Sequence, residues 1–586
     1  MPVRNLGSTL RIALLVSVVL LSAGCGSGGG QDEKFEKLSS AFCEEYFRLN
    51  PVLATWAGEH RYDHQLDDVS REGIASRLAT LGTYLARVRD IDWSRLSPDN
   101  RIDAVILANG IELDMLTIEG MRSFEANPMV YTDLLGSSIN LLITRDFAPL
   151  DERLDAAADR LEAFPRVIDQ AIANLSNPPK PCTEMAISQN RALTAFVEND
   201  LMKVAEALPR KSKKLEKAAG PALEALDRFQ LFLEKDLINR SLGDSRLGDA
   251  LYRRLIGHVL QSDMSSEEIV AAAYAEIDRV HDDMYELAAP LFAEMTGTEP
   301  GTHPARAARM EIIRKVLGEI ADDHPGAVGL LDACKAAYAE ASAFVREKGI
   351  VPIPDEPFEI IWTPEYARGI SLTALAAPGP LDREVKYYFM VSPVPLEFDR
   401  KQTESYLREY NSEMIRLVTI HEAMPGHYVQ LAYANRNPSI VRAICTNTAF
   451  IEGWAVYCME FMNELGFRDG DSRFMLQWKK YYLRVLINAI IDSGMHREGM
   501  TESEAVALLT EDGFQEEAEA SIKWRRVGLN PGYLSTYFVG YLEMRALRIE
   551  AEARWGGQFE LGEFNEKLLS LGALPPRLAR RALLGE

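Results

Sequence analysis

Between Ile420 and Tyr428 the chain reads Ile-His-Glu-Ala-Met-Pro-Gly-His-Tyr, and this stretch sets the tightest condition on the fold. Met414, Leu417, Val418 and Ile420 recur at helical spacing just ahead of it. Two imidazoles and a carboxylate within seven positions suit a metal ion held beside a general base. A straight helix would not permit this, because positions six apart differ by about 600°, which leaves them about 120° apart around the axis. Pro425 has no N–H and its ring clashes with the carbonyl of His421, while Gly426 tolerates unusual dihedrals. The helix is therefore expected to bulge or unwind at Pro425-Gly426, returning His427 to the side of His421.

A third ligand is available downstream. Glu452 lies thirty-one residues after His421, in Phe450-Ile-Glu-Gly-Trp-Ala-Val-Tyr457 at the start of another helical stretch. Two His and one Glu leave a fourth tetrahedral position open, as in catalytic zinc sites. His421, His427 and Glu452 are thus the expected ligands of one Zn2+, and Glu422 the general base. Manganese or cobalt would suit the same donors.

The chain has 586 residues, is 47% hydrophobic and carries a formal charge of −23 spread along its length. That charge disfavours nucleic acid and anionic lipid surfaces. Arg4 and Arg11 precede an apolar run from Ile12 to Leu21, too short to span comfortably, and small residues lead to Cys25. The run reads as an export signal, and its removal would take the charge to −25. Leu21-Ser-Ala-Gly-Cys25 resembles a bacterial lipobox, which implies lipidation at Cys25 and an envelope lipoprotein. Gly26 in place of Asp after the cysteine implies the outer membrane, facing the periplasm. Cys43, Cys182, Cys334, Cys445 and Cys458 are irregularly spaced and read as buried apolar residues, with a Cys445–Cys458 bridge left open.

Residues 1–25 are expected to be signal peptide, 26–34 a flexible tether, 35–250 an N-terminal helical region and 251–586 a catalytic helical region, the last two standing either as separate regions or as one intertwined domain. Helical periodicity runs through Phe35 to Phe47, Ile74 to Val88, Leu150 to Leu175, Leu193 to Leu208 and Pro221 to Leu237, then Glu267 to Met295, Ala305 to Ile320 and Val328 to Lys348. Three prolines between Ile350 and Pro357 end it. Phe358 to Trp362 and Lys386 to Val391 read as two short strands, either capping the helical body or offering an edge to an extended peptide. The polar cluster Gly58 to His64 reads as a surface turn. The expected class is mainly α: a large helical body with a central cleft and a small β-hairpin or sheet near the metal site.

His-Glu-x-x-Pro-Gly-His followed by Glu-Gly-Trp-Ala resembles the bacterial family called domain of unknown function eight hundred eighty-five, most of whose members are taken to be zinc metallopeptidases. The likeness extends to Pro51–Ser70, to Asp492-Ser-Gly-Met-His496 and to Pro531-Gly-Tyr533 through Tyr537 and Gly540. The spacing of ligands is also similar to that of the helical gluzincin peptidases, in which a downstream His and Tyr lean over the metal. The resemblance implies that His496 and Tyr537 donate to an oxyanion, and Asp492, four before His496, would fix its tautomer on a helix. The family often has Gln where Tyr533 stands, and Tyr where Val527 follows Arg526. Tyr533, Arg526 and Arg545, with Arg525, are candidates to contact substrate, the arginines through a peptide's terminal carboxylate. The expected activity is zinc-dependent hydrolysis of peptides or oligopeptides. The alternative is an envelope lipoprotein that binds a peptide or solute at a metal site without turnover. Oligomeric state is not legible.

Overall fold

The computed structural model describes residues 29–301, 304–364, 372–383, 386–396 and 398–585. Cys25 and the export segment lie outside the described residues.

The architecture is mainly α, as the periodicity predicts. Phe35, Leu81, Ile106 and Ile111 in the first helices pack into the same core as Leu417, Trp454, Leu486 and Phe538, and that core continues to Leu584. Helices Gly29–Leu49, Arg71–Arg89 and Pro98–Met115 thus share a hydrophobic interior with the residues around the metal motif. A second core gathers mostly residues 124–237, in helices such as Leu150–Asn174 and Pro209–Lys235. The latter runs on through Pro221, where periodicity alone placed a helix start. Among the described residues, no helix is long and apolar enough to cross a membrane.

The expected pair of strands is a sheet of three, in the order β1-β3-β2. β1 (Phe358–Trp362) and β3 (Tyr387–Val391) run parallel, so no hairpin joins them. The strand that pairs antiparallel with β3 is β2 (Thr373–Ala376). Its two alanines give it weak strand propensity, which hid it from sequence reasoning. Leu372, Phe389 and Val391 pack with Leu330, Cys334, Ile415 and Ala423, seating the sheet against the helix that carries His421.

The turn at Gly58–His64 is tied down rather than free. His60 sits between Asp63, at 2.9 Å, and Asp382, at 2.8 Å, and stacks on Phe147. Burial opposes charging of the ring, but the hydrogen bonds to Asp382 and Asp63 prevail and raise its pKa to about 9.

Candidate metal centre

Asn411 starts the His421 helix (Ser412–Glu422) by accepting from the N–H groups of Glu413 and Met414. The helix stops at Glu422, and Ala423 leaves helical geometry at φ −121° and ψ −74°. A cis peptide joins Met424 to Pro425. The N–H of Gly426 donates to the Ile420 carbonyl at 3.0 Å, and a new helix begins at His427. A Cβ on Gly426 would lie 1.9 Å from the His421 oxygen, so only glycine fits this return. The break at Pro425-Gly426 is therefore present.

Pro425 cannot join a helical ladder, and its carbonyl needs another donor. Trp454 supplies one, its indole N–H donating at 3.0 Å. That bond clamps the break to the Glu452 helix (Thr448–Glu464), whose first turn is capped by Asn447 accepting from Phe450 N–H.

Three donor atoms converge there. The Nε2 atoms of His421 and His427 each lie 3.6 Å from Glu452 Oε2, and one ligand atom from each residue falls within 4.8 Å of the others. Ligand atoms around a tetrahedral zinc, at about 2.0–2.2 Å from it, stand about 3.3–3.6 Å apart. The Oε2 atom is buried without a hydrogen-bond partner, as are both Nδ1 atoms. A carboxylate oxygen left bare between two imidazoles fits a cation, and the donor set suits zinc.

Burial acts on every group here. It raises Glu422 to about 7, with Glu452 adding to the rise and His421 opposing it. Burial lowers His427 to about 4. Glu452 resists burial and falls to about 2, because the His421 and His427 imidazoles lie 3.6 Å from it and Tyr533 donates to its other oxygen. His421 is raised despite its burial, through Glu452 and Glu422.

The remaining expected residues divide. Tyr537 is in the site: its ring lies nearly parallel to that of His421, centroids 6.3 Å apart, and its hydroxyl donates to that of Tyr533 at 3.4 Å. Tyr533, expected to contact substrate, instead donates to Glu452 Oε1 at 2.7 Å. Arg526 places its guanidinium over the Tyr533 ring, 5.1 Å from the centroid. Arg545 lies 3.7 Å from Glu460.

His496 is engaged elsewhere. Its Nδ1 accepts from Leu247 N–H at 3.4 Å, and its Nε2 donates to the Val527 carbonyl at 3.2 Å. The helix Ser472–Ser493 passes at Gly494 into a wider turn that carries His496, and the ring nitrogen stays 4.0 Å from Asp492. Asp492 accepts instead from Gly532 N–H, Ser535 N–H and the Ser535 hydroxyl. It holds the turn that presents Tyr533.

Sequence reasoning missed this support. The closest link is glycine on glycine: a Cβ on Gly453 would lie 2.3 Å from the Gly540 carbonyl carbon, and one on Gly540 would lie 1.8 Å from Ala449 oxygen. The Glu452 helix and the helix Ser535–Trp555 therefore touch backbone to backbone, which brings Tyr533 and Tyr537 up to Glu452. The Gly after Glu452 and the Gly three after Tyr537 were the available signals. Among the described residues the cysteines are free, and Cys458 points its thiol at the Pro425 carbonyl, 3.6 Å away.

Comparison with known proteins gives a family and no reaction. Residues 51–583 match the family described as "Bacterial protein of unknown function (DUF885)". A search of curated proteins finds no match. A solved structure of an inferred lipoprotein of unknown function from Shewanella oneidensis is 30% identical, with TM-score 0.79, covering 94% of this chain and 99% of that one. Another, an inferred lipoprotein from Colwellia psychrerythraea, is 17% identical with TM-score 0.76 over 94% of this chain and 99% of that one, a likeness of fold.

Proposed function

Because the chain belongs to the bacterial DUF885 family, to which no reaction is attached, we propose its function from the site itself: a zinc-dependent peptidase anchored in the cell envelope. The observation that carries the reading is the unpartnered Glu452 Oε2 set 3.6 Å from two imidazole nitrogens, with Glu422 adjacent in the chain. His421, His427 and Glu452 would hold the ion, which when bound would supply Lewis acidity toward a carbonyl oxygen and a water molecule.

The chain's own groups do the proton work. Glu422, with its carboxyl raised to about 7, is tuned to take a proton from water near neutrality and to return it to the leaving amine. Tyr537, whose hydroxyl is held protonated by burial, is a donor for the oxyanion. Tyr533 and Trp454 hold Glu452 and the Pro425-Gly426 break in place. The edge strand β2, packed beside the His421 helix, suits an extended substrate. Lipidation at Cys25, supported by the Shewanella likeness, would place the site on the outer membrane facing the periplasm.

The test is digestion of a mixed peptide library by zinc-loaded protein and by Glu422→Gln. Cleavage should fall about 10²–10⁴-fold in the variant. A wild type that binds zinc yet cuts nothing would sink the peptidase reading and leave the binding lipoprotein standing. A binder needs the ligands but has no use for Glu422.

A further inference from the structure

A cluster of cations stands behind two of the tyrosines in the metal centre. Lys523 and Arg526 are one turn apart on the helix Glu517–Leu529, so they project to one side of it. Arg526 reaches the Tyr533 ring, and Tyr533 in turn bonds Glu452, so one aromatic ring separates this guanidinium from the metal donors. Tyr481 makes a parallel link: its ring lies 5.9 Å from that of His421, and the Arg484 guanidinium sits over the same ring, 5.7 Å from its centroid.

Charge in this cluster does not balance. Glu409 is shared by Lys480, at 2.9 Å, and Arg484. Glu519 approaches Lys523 only to 3.7 Å. Arg526 has no carboxylate within ion-pair distance among the described residues; the charged or ionisable groups that act on it are Tyr537, Tyr533 and Glu452. Lys480, Arg484, Lys523 and Arg526 thus face Glu409 and Glu519, while Glu452 is turned to His421 and His427. Lys523 is only 7% exposed, and burial first, then Arg484 and Arg526, push its ammonium down to about 8. In a chain of net charge −23, this group of cations, with Lys523 buried and Arg526 at the surface, stands out beside the candidate metal site and suits an anionic ligand.

We propose that Arg526 and Lys523 form a subsite for a carboxylate of the substrate, next to the metal donors. This rests on the peptidase reading and narrows it to peptides that carry a carboxylate close to the bond that is cut. The planar guanidinium, with no carboxylate partner among the described residues, matches a carboxylate in bidentate fashion. Two sources offer that group: the peptide's C-terminus and an acidic side chain.

Binding decides the matter without turnover. Titrate zinc-loaded, full-length Glu422→Gln calorimetrically with trialanine, with trialanine amide and with amidated Ala-Glu-Ala, and repeat with Arg526→Gln added. Trialanine, or the amidated glutamyl peptide, should bind at least about 10-fold more tightly than trialanine amide. Arg526→Gln should erase that preference, and as an exposed position it should leave the fold intact. Preference for trialanine alone assigns the C-terminus; equal preference for the glutamyl amide assigns a side chain. Equal binding of all three, or no measurable binding of any, overturns the subsite, as does a preference that survives Arg526→Gln. Cleavage of the peptide library by wild type tests the peptidase reading separately.

Discussion

At the scale of single residues, the convergence of His421, His427 and Glu452, with Glu422 adjacent in the chain, was legible because the chain spacing keeps them together. His421, Glu422 and His427 come from one stretch, and Glu452 from the first turns of the helix Thr448–Glu464. The hydrogen bond from Tyr533 to Glu452 was not legible, because it joins residues 81 positions apart in the chain. Such a hydrogen bond fixes the carboxylate so that Oε2 stays free. Tyr533→Phe should therefore weaken zinc affinity about 10-fold or more with little change in the fold, measured by competition with a chelator. Unchanged affinity would reduce Tyr533 to a packing residue. For His496 the Asp-x-Gly-x-His spacing was readable, but the widening of the helix after Ser493 that turns its ring to Val527 and Leu247 was not.

At the scale of elements, the break between the two short helices was predictable, since Pro425 and Gly426 allow no regular helix and a metal shared by His421 and His427 would demand one side. The partner that stabilises it was not, because Trp454 reaches Pro425 across 29 positions and only the fold brings them together. The sheet was half legible: β1 and β3 are rich in aromatic and β-branched residues, whereas Thr373–Ala376 gains its strand from pairing with β3. The crossing of the Glu452 helix with Ser535–Trp555 is the element contact on which the site leans most. Gly540→Ala puts a methyl where Ala449 oxygen and the Gly453 backbone already stand, and overpacking of this kind costs about 1–3 kcal/mol or more. The variant should melt lower and bind zinc more weakly, because Tyr533 and Tyr537 are pushed away from Glu452. A Gly540→Ala protein with wild-type melting and zinc affinity would show that the helices part without cost.

At the scale of the whole molecule, helical class was plain from periodicity, but how the N-terminal helices join the rest was not, since core packing between Phe35 and Leu584 leaves no local signature. His60 is one visible fastening, binding Asp382 across 322 positions. Its pKa rises on folding from the usual 6.5 to about 9, so its stabilisation is complete below about pH 6.5 and is lost as pH climbs through 9. The melting temperature of wild type should therefore exceed that of His60→Gln at pH 6 and the gap should narrow toward pH 10; a gap independent of pH would rule out a charged His60. The central claim is that this helical body is built around one metal ion. Protein stripped with chelator, reloaded and dialysed should hold one zinc per chain, and His421→Ala, His427→Ala and Glu452→Gln should each lose it. A wild type that retains no zinc under the same treatment, or a His427→Ala variant that retains as much as wild type, would contradict the account.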